Sequence, residues 1–151
     1  MSEKTDNSPG RNVIKEIMCL SNLIRRSLDS ARMERDDSTT PMHGFIIAYI
    51  NKNRDRDIFQ RDIENKFSYR RSTASTVLGL MEEKGLIKRG PVPYDARLKK
   101  LVLTEKAERF AASCEEDGER LDAKMTCGIT EEELDALFSV IDKIRCNLKG
   151  E

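Results

Sequence analysis

The sequence is poor in the residues from which metal sites and enzyme active sites are most often built. Among 151 residues it has one histidine, His43, and four cysteines, Cys19, Cys114, Cys127 and Cys146. No two cysteines form a Cys-x-x-Cys pair, so a zinc site of ordinary spacing is not expected. A single histidine gives no obvious Ser-His-Asp constellation, and no glycine-rich phosphate loop is present. We therefore expect no metal, no cofactor and no enzymatic activity.

Long apolar runs are also missing. The longest, Phe45 to Ile50, has six residues, far short of the ~20 that span a bilayer. Residues 1–11 are polar and adjoin no apolar stretch, so no signal peptide is expected. These absences predict a cytoplasmic protein without a membrane partner, in which the cysteines are reduced and pack as small apolar side chains.

The formal net charge is zero, with 27 basic and 27 acidic side chains, yet the charges are unevenly distributed. Residues 66–103 carry 9 basic and 3 acidic side chains, whereas residues 104–151 carry 7 basic and 13 acidic ones. A polyanion senses charge within a Debye length of roughly 8 Å, so the local excess matters more than the total. With 38% apolar residues, the chain can bury one core, which predicts a single domain over residues 1–151.

Apolar periodicity predicts a mainly α fold with one small β-hairpin. Apolar side chains at three- and four-residue steps indicate helices, and two short apolar runs around a proline-containing turn indicate the hairpin. Thr40 with Pro41, and Thr130 with Glu133, are helix start signals, and Gly85 is placed to end a helix. The predicted helices cover about 13–33, 41–53, 58–66, 71–84, 104–125 and a last segment carrying Leu134 to Leu148, and the predicted strands 86–89 and 98–103 flank a turn over 90–94.

Residues 41–103 form a predicted winged helix-turn-helix, since two helices with a tight connection precede the hairpin. A DNA major groove about 12 Å wide admits one helix, whose N-terminal end then reaches bases and phosphates. No carboxylate lies between Glu64 and Glu82, which favours double-stranded DNA as the partner over chance clustering on a charged surface. The candidate contacts are Arg70, Arg71, Ser72, Thr73, Ser75 and Thr76 on the helix, with Lys88, Arg89, Arg97, Lys99 and Lys100 on the hairpin.

Four short motifs stand between residues 72 and 106. They read Ser-Thr-Ala-Ser-Thr-Val-Leu at 72–78, Met-Glu-Glu-Lys-Gly-Leu-Ile at 81–87, Asp-Ala-Arg at 95–97 and Leu-Thr-Glu-Lys at 103–106. Together they resemble the multiple-antibiotic-resistance regulator (MarR) family, and the resemblance covers the order of all six helices and the hairpin. It implies a homodimeric transcription regulator, here a ligand-responsive repressor on a pseudo-palindromic operator.

The resemblance also implies roles for individual side chains. Arg97 resembles the arginine at the tip of the family's wing, the β-hairpin, which reaches into the DNA minor groove. Asp95 would orient that arginine without contacting DNA. Ser72, Thr73 and Ser75 resemble recognition-helix positions that hold phosphates and bases.

Three positions depart from the family pattern. Thr76 stands where the family often has a recognition-helix arginine, which shifts the expected base contacts toward Arg70 and Arg71. Ser68 replaces the usual glycine in the helix-turn-helix turn. Ala107 replaces another common glycine after the second strand.

The family dimerises through its terminal helices, which correspond to residues 11–33 and 104–148. The last helix has apolar residues at steps of 3, 4, 3 and 4 from Leu134 to Leu148, a narrow stripe suited to packing against another helix. A stripe that only completes the core of one chain is the alternative.

The resemblance further implies a small aromatic or anionic effector, bound between the dimerisation region and the winged helix. His43, Ile46 and Ile47 are the candidate contacts, although a lone histidine is more often an ordinary hydrogen-bonded helix residue. Some relatives sense oxidants through a cysteine of the first helix, which makes Cys19 a candidate redox site. A winged-helix protein-interaction module that does not bind DNA is the alternative function.

Overall fold

The computed structural model describes residues 10–33 and 39–150. Mainly helical with one two-stranded antiparallel hairpin, it confirms the predicted fold class. The chain divides into two compact units, one ending at Gly118 and one beginning at Glu119. The elements are α1 (Val13–Met33), α2 (Pro41–Lys52), α3 (Gln60–Phe67), α4 (Arg71–Glu83), β1 (Ile87–Val92), β2 (Asp95–Leu103), α5 (Glu105–Thr126) and α6 (Glu131–Lys149).

The core of the first unit lies where α2, α3 and α4 meet the base of the hairpin. Each helix contributes the apolar side chains of one face, because those positions recur with the helical period. The uninterrupted apolar run of α2 is only partly internal, since Phe45 remains 39% exposed. The buried cluster comprises Ile46, Ile47, Ile50, Ile58, Ile63, Leu78, Met81, Leu86, Ile87, Leu101, Leu103, Ala107 and Ala111.

Side-chain caps start α2 and α6, as the sequence predicts. The Thr40 hydroxyl accepts a hydrogen bond from the backbone N–H of His43 (3.3 Å), and Nδ1 of His43 accepts one from the N–H of Thr40 (3.2 Å). At α6, Thr130 and Glu133 exchange the corresponding pair at 3.2 and 2.9 Å. Each cap satisfies backbone donors that a helix start leaves unpaired.

A Schellman motif ends α4. Gly85 adopts a φ of +67°, a left-handed conformation that costs glycine little. Its N–H donates to the carbonyl of Glu82 (3.0 Å), and the N–H of Leu86 donates to that of Met81 (2.8 Å). The chain therefore leaves the helix directly into β1, which places the hairpin beside α4.

The prediction that the turn extends over residues 90–94 is wrong, because the two strands are longer than expected. β1 continues through Pro91, which pairs with Lys99, and only Pro93 and Tyr94 form the turn. Proline is tolerated here because both strands of a two-stranded ribbon are edge strands, where a missing N–H need not break a ladder. The hairpin is thus an extended ribbon with a short tip.

The terminal helices keep apolar side chains at the surface. In α1, Val13, Ile17 and Leu20 are 49–63% exposed. In the second unit, Leu137 and Leu148 on α6 are 48% and 83% exposed. Among the described residues, no helix combines the length and the apolar character needed to cross a membrane.

Candidate nucleic-acid interface

The turn between α3 and α4 sets the direction of α4. Ser68 ends α3 with φ 54° and ψ 37°, in the left-handed region that favours glycine. The next N–H, that of Tyr69, donates to the carbonyl of Glu64 at 2.9 Å. On α4, Ala74, Leu78 and Met81 are fully buried. The opposite face of α4 is therefore turned outward.

The outward N-terminal end of α4 carries the predicted donors. Arg71, Ser72, Thr73 and Ser75 are all exposed. No acidic side chain lies in the first turn of α4, so the positive end of the helix dipole is not neutralised locally. The hydroxyl of Thr76 donates to the carbonyl of Ser72 at 3.0 Å, which leaves it free only to accept. Arg70, the N-cap residue, is exposed and uses its side chain for no capping bond.

The wing tip presents Arg97 within an irregular stretch of β2. Pro91 pairs with Lys99, but its neighbour Val92 pairs with Asp95, so residues 96–98 bulge out of the ladder. Oδ1 of Asp95 accepts from the backbone N–H of Arg97 (2.9 Å) and from Nε (3.3 Å), and Oδ2 accepts from Nη2 (3.4 Å).

These contacts fix the direction of Arg97 without burying it. The side chain of Arg97 is 90% exposed, whereas that of Asp95 is 30% exposed. The backbone hydrogen bond, followed by the side-chain bonds from the same arginine, lowers the pKa of Asp95. The carboxylate thus stays charged at neutral pH, and Arg97 projects into solvent.

A cleft of about 690 Å³ lies between the wing and the helix-turn-helix. It gathers side chains that are far apart in the sequence, and cations predominate. Arg61 is not among the candidate DNA contacts predicted from the sequence, because the charges of residues 1–65 cancel. Its position in the first turn of an amphipathic helix could have indicated that it is exposed beside α4. The lining residues are Phe59, Gln60, Arg61, Glu64, Asn65, Arg71, Arg89, Arg97, Leu98 and Lys99.

Arg89 differs from the other cations of this cleft. Its Nε lies 3.3 Å from Oε2 of Glu82, and its Nη1 donates to Oε1 of Gln60 at 3.4 Å. Its side chain is 29% exposed. Arg89 therefore ties β1 to α3 and α4, and its charge is partly neutralised within the protein.

The predicted effector residues lie on the core side of α2. His43 is 3% exposed, and Ile46 and Ile47 are fully buried. A separate groove of about 260 Å³ opens on the other side of α2, against α1. It is mostly apolar, and Arg25 is its one charged residue. Its lining residues are Ser21, Ile24, Arg25, Leu28, Thr40, Pro41, Met42 and Phe45.

The cysteines lie at separate places on the helices and the turn between α5 and α6. Cys19 is exposed on α1, and none of the four forms a disulfide. Within residues 10–33 and 39–150, no group of three or more His, Cys, Asp or Glu side chains is arranged to hold a metal ion.

Comparison with known proteins points to one family. The family model for the MarR family matches residues 38–98. The transcription regulator MarR from Oenococcus oeni is 28% identical with a TM-score of 0.78, covering 88% of this chain and 98% of its own. Heme-free PefR is 30% identical with a TM-score of 0.70, and the match covers 90% of this chain and 99% of PefR. The structure of PefR from Streptococcus agalactiae has also been solved with heme. MepR from S. aureus, in complex with DNA, has a TM-score of 0.82 at 19% identity and covers 93% and 99%.

Proposed function

Because the chain belongs to the MarR family of transcription regulators, we propose that it is a ligand-responsive repressor that binds double-stranded DNA in a sequence-specific manner as a homodimer. The cleft between the wing and the helix-turn-helix carries the proposal. Arg61, Arg71, Arg97 and Lys99 reach it from three different elements, α3, α4 and β2. Such convergence of exposed cations beside an open helix N-terminus suits a phosphate backbone.

The two ends of the cleft have different tasks in this proposal. The N-terminal end of α4 enters the major groove, where Arg70, Arg71 and the neighbouring hydroxyls contact bases and phosphates. Arg97 enters the adjacent minor groove, whose narrow A·T-rich stretches attract a cation. Two α4 helices related by a two-fold axis then read half-sites about one helical turn apart, roughly 34 Å.

Competition binding tests sequence specificity. A duplex selected from random sequence is labelled and titrated with the protein in the presence of excess bulk DNA. We expect the selected duplex to remain bound and a scrambled duplex of equal composition to be displaced. Equal displacement of both would refute the regulator, and no binding to either would favour the protein-interaction module.

The exposed apolar side chains of the terminal helices support the homodimer. On α1, Val13 and Ile17 are 63% and 49% exposed, and on α6 Leu137 and Phe138 are 48% and 58% exposed. Exposed apolar patches of this kind are typical of interaction surfaces. We propose that α1 and α6 are covered by a second copy of the chain, and that α5 takes part with them.

Light scattering at micromolar concentration should give about twice the 17.3 kDa of one chain. Leu137→Glu should dissociate the dimer, because it buries an unpaired charge at the interface. Leu137 is a sharper choice than half-buried Ile141 or Ile144, whose replacement could unfold the protomer. Ser139→Glu, an exposed position on the other side of α6, is the matched control and should remain dimeric. A monomer that binds operator DNA at full affinity would refute the dimer.

We place the effector site in the groove between α1 and α2. Its volume of about 260 Å³ is below the roughly 300–1,000 Å³ of pockets that enclose drug-sized ligands, so it suits a single-ring aromatic carboxylate with Arg25 as the counter-charge. Benzoate-class compounds should raise the thermal midpoint and release DNA, and Arg25→Met should weaken both effects. Because PefR is described as a heme sensor, heme is the comparison ligand; release by heme alone would place the effector outside this groove.

A further inference from the structure

The segment before α3 holds the wing from the side opposite Arg89. Oδ1 of Asp57 accepts a hydrogen bond from Nζ of Lys100 at 2.9 Å, and Oδ2 accepts one from the hydroxyl of Tyr94 at 3.1 Å. The next carbonyl, that of Ile58, accepts from the N–H of Leu101 at 2.7 Å. One carboxylate thus contacts the turn and the middle of β2, while the adjoining backbone contacts the base of the same strand.

These contacts matter because a two-stranded ribbon has little stability of its own. The base of the wing is fixed by Leu101 and Leu103, which are in the core, and Val92 is buried near the tip. Apolar contacts are not directional, so they limit the position of the ribbon more than its orientation. Among the side-chain hydrogen bonds of the described residues, the one between Tyr94 and Asp57 links the tip of the hairpin to the segment before α3.

We propose that Asp57 is a positioning residue for DNA binding. It holds the wing tip in place in the free protein, so that Arg97 need not become ordered when it enters the minor groove. This inference rests on the proposed function. Asp57 itself need not contact DNA, because both of its oxygens are engaged by Tyr94 and Lys100. The Lys100 hydrogen bond is also the main reason that the pKa of Asp57 is lowered, so the link persists at neutral pH.

Electrostatics and positioning predict opposite signs for the same substitution. Removing a negative charge beside a polyanion strengthens binding, whereas releasing the wing tip weakens it. Asp57→Asn should therefore bind operator DNA about 2- to 10-fold more weakly for each wing that is engaged, the cost of ordering one long side chain at the moment of binding. Asp55→Asn removes an equal charge from an exposed position of the same turn and should bind equally well or better.

A double-mutant cycle tests whether Asp57 acts through Arg97. In the Arg97→Ala background, Asp57→Asn should weaken binding no further and should match Asp55→Asn, because there is no longer a wing-tip contact to position and only the charge effect remains. Tyr94→Phe removes only the hydroxyl link to Asp57 and should reproduce part of the loss. Urea unfolding should show that Asp57→Asn and Asp55→Asn are both fully folded under the conditions of the binding assay, which separates positioning from loss of the fold.

The free protein supplies a readout that needs no DNA. In ¹⁵N relaxation, the amides of residues 96–98 should have order parameters near those of rigid backbone in the wild type and clearly lower ones in Asp57→Asn. If Asp57→Asn behaves like Asp55→Asn in both affinity and relaxation, the inference is overturned while DNA binding stands. If the wild type binds no duplex, the proposed function fails, and the relaxation data still decide whether Asp57 holds the tip.

Discussion

The wing offers a matched pair of arginines, Arg97 and Arg89, which face the same cleft but differ in what they contact. Arg97 is 90% exposed, and Asp95 beside it is its one ion-pair partner among the described residues. Arg89 is 29% exposed and bridges Glu82 and Gln60. We expect Arg97→Ala to remove a DNA contact and Arg89→Ala to loosen the attachment of β1. The two variants remove the same charge, so a difference between them reports geometry.

The salt dependence of binding sets the size of the effect. Each neutralised phosphate contributes about 0.9 to the slope of log affinity against log salt. A homodimer has two wings, so Arg97→Ala should reduce the slope by about 1.8. Between 50 and 200 mM salt, a slope change of that size alters the affinity ratio of wild type to variant about 12-fold, against about 3.5-fold for a single wing.

Fluorescence anisotropy on one operator duplex at four salt concentrations measures these slopes. Arg89→Ala should change the slope by much less than Arg97→Ala, and exposed Arg109 on α5 is a control whose alanine variant should leave the slope unchanged. An unchanged slope for Arg97→Ala would place the wing off the DNA. A reduction of about 0.9 would mean that only one wing of the dimer is engaged.

Three further predictions concern the elements that position the site. Gly79 and Gly85 both have open space where a Cβ would lie, but only Gly85 has a positive φ, of +67°; Gly79→Ala should raise the free energy of unfolding by up to about 1 kcal/mol, and Gly85→Ala should lower it by about 1 kcal/mol. Ser68→Gly should stabilise the turn by up to about 1 kcal/mol, because it relieves the left-handed conformation of a serine. Denaturant titration measures the free energy of unfolding of these glycine and serine variants. Lys100→Met should raise the pKa of Asp57 toward its ordinary value, as read by carboxyl ¹³C shifts. A carboxylate whose pKa is lowered by folding stabilises the folded state at pH values above its ordinary pKa of about 3.9. This stabilisation is lost as the pH falls through the native pKa, so the Lys100→Met variant should lose less stability on acidification.

Helix positions could be predicted from the sequence because their signals are local. The periodic face of α1 gives the bounds Val13–Met33 as predicted, and the Thr130–Glu133 box starts α6 where expected. The exposed face of α4 follows from the same logic, since Ala74 and Leu78 must turn inward together. The bounds of the hairpin strands were harder to predict, because proline occurs both in turns and on edge strands. Pro91 lies on an edge strand, and only its pairing with Lys99 shows this.

The partners of individual charges could not be predicted in this way. Arg89 meets Gln60 across 29 residues, and Lys100 meets Asp57 across 43. Such pairs depend on how α3 and the wing are brought together, which no spacing along the chain encodes. Local composition therefore overstates the charge available to a ligand, since it counts cations that the fold has already neutralised.

That difference gives a prediction for the wild-type complex. The sequence counts 9 basic side chains in residues 66–103, or 18 in a dimer, which would correspond to a salt slope of about −16 if all met phosphates. Of these nine, the structure leaves four per protomer at the cleft or at the start of α4, because Arg89 and Lys100 are paired with Glu82 and Asp57 and the remaining lysines lie elsewhere. Arg61, which precedes the counted range, is the fifth cation at the cleft. Ten such cations per dimer set the limit of the slope at about −9. A measured slope clearly steeper than −9 would show that the internal pairs open on DNA or that further lysines, such as exposed Lys88, reach phosphates, whereas a slope no steeper than −9 is expected if the pairs persist. The five are Arg61, Arg70, Arg71, Arg97 and Lys99.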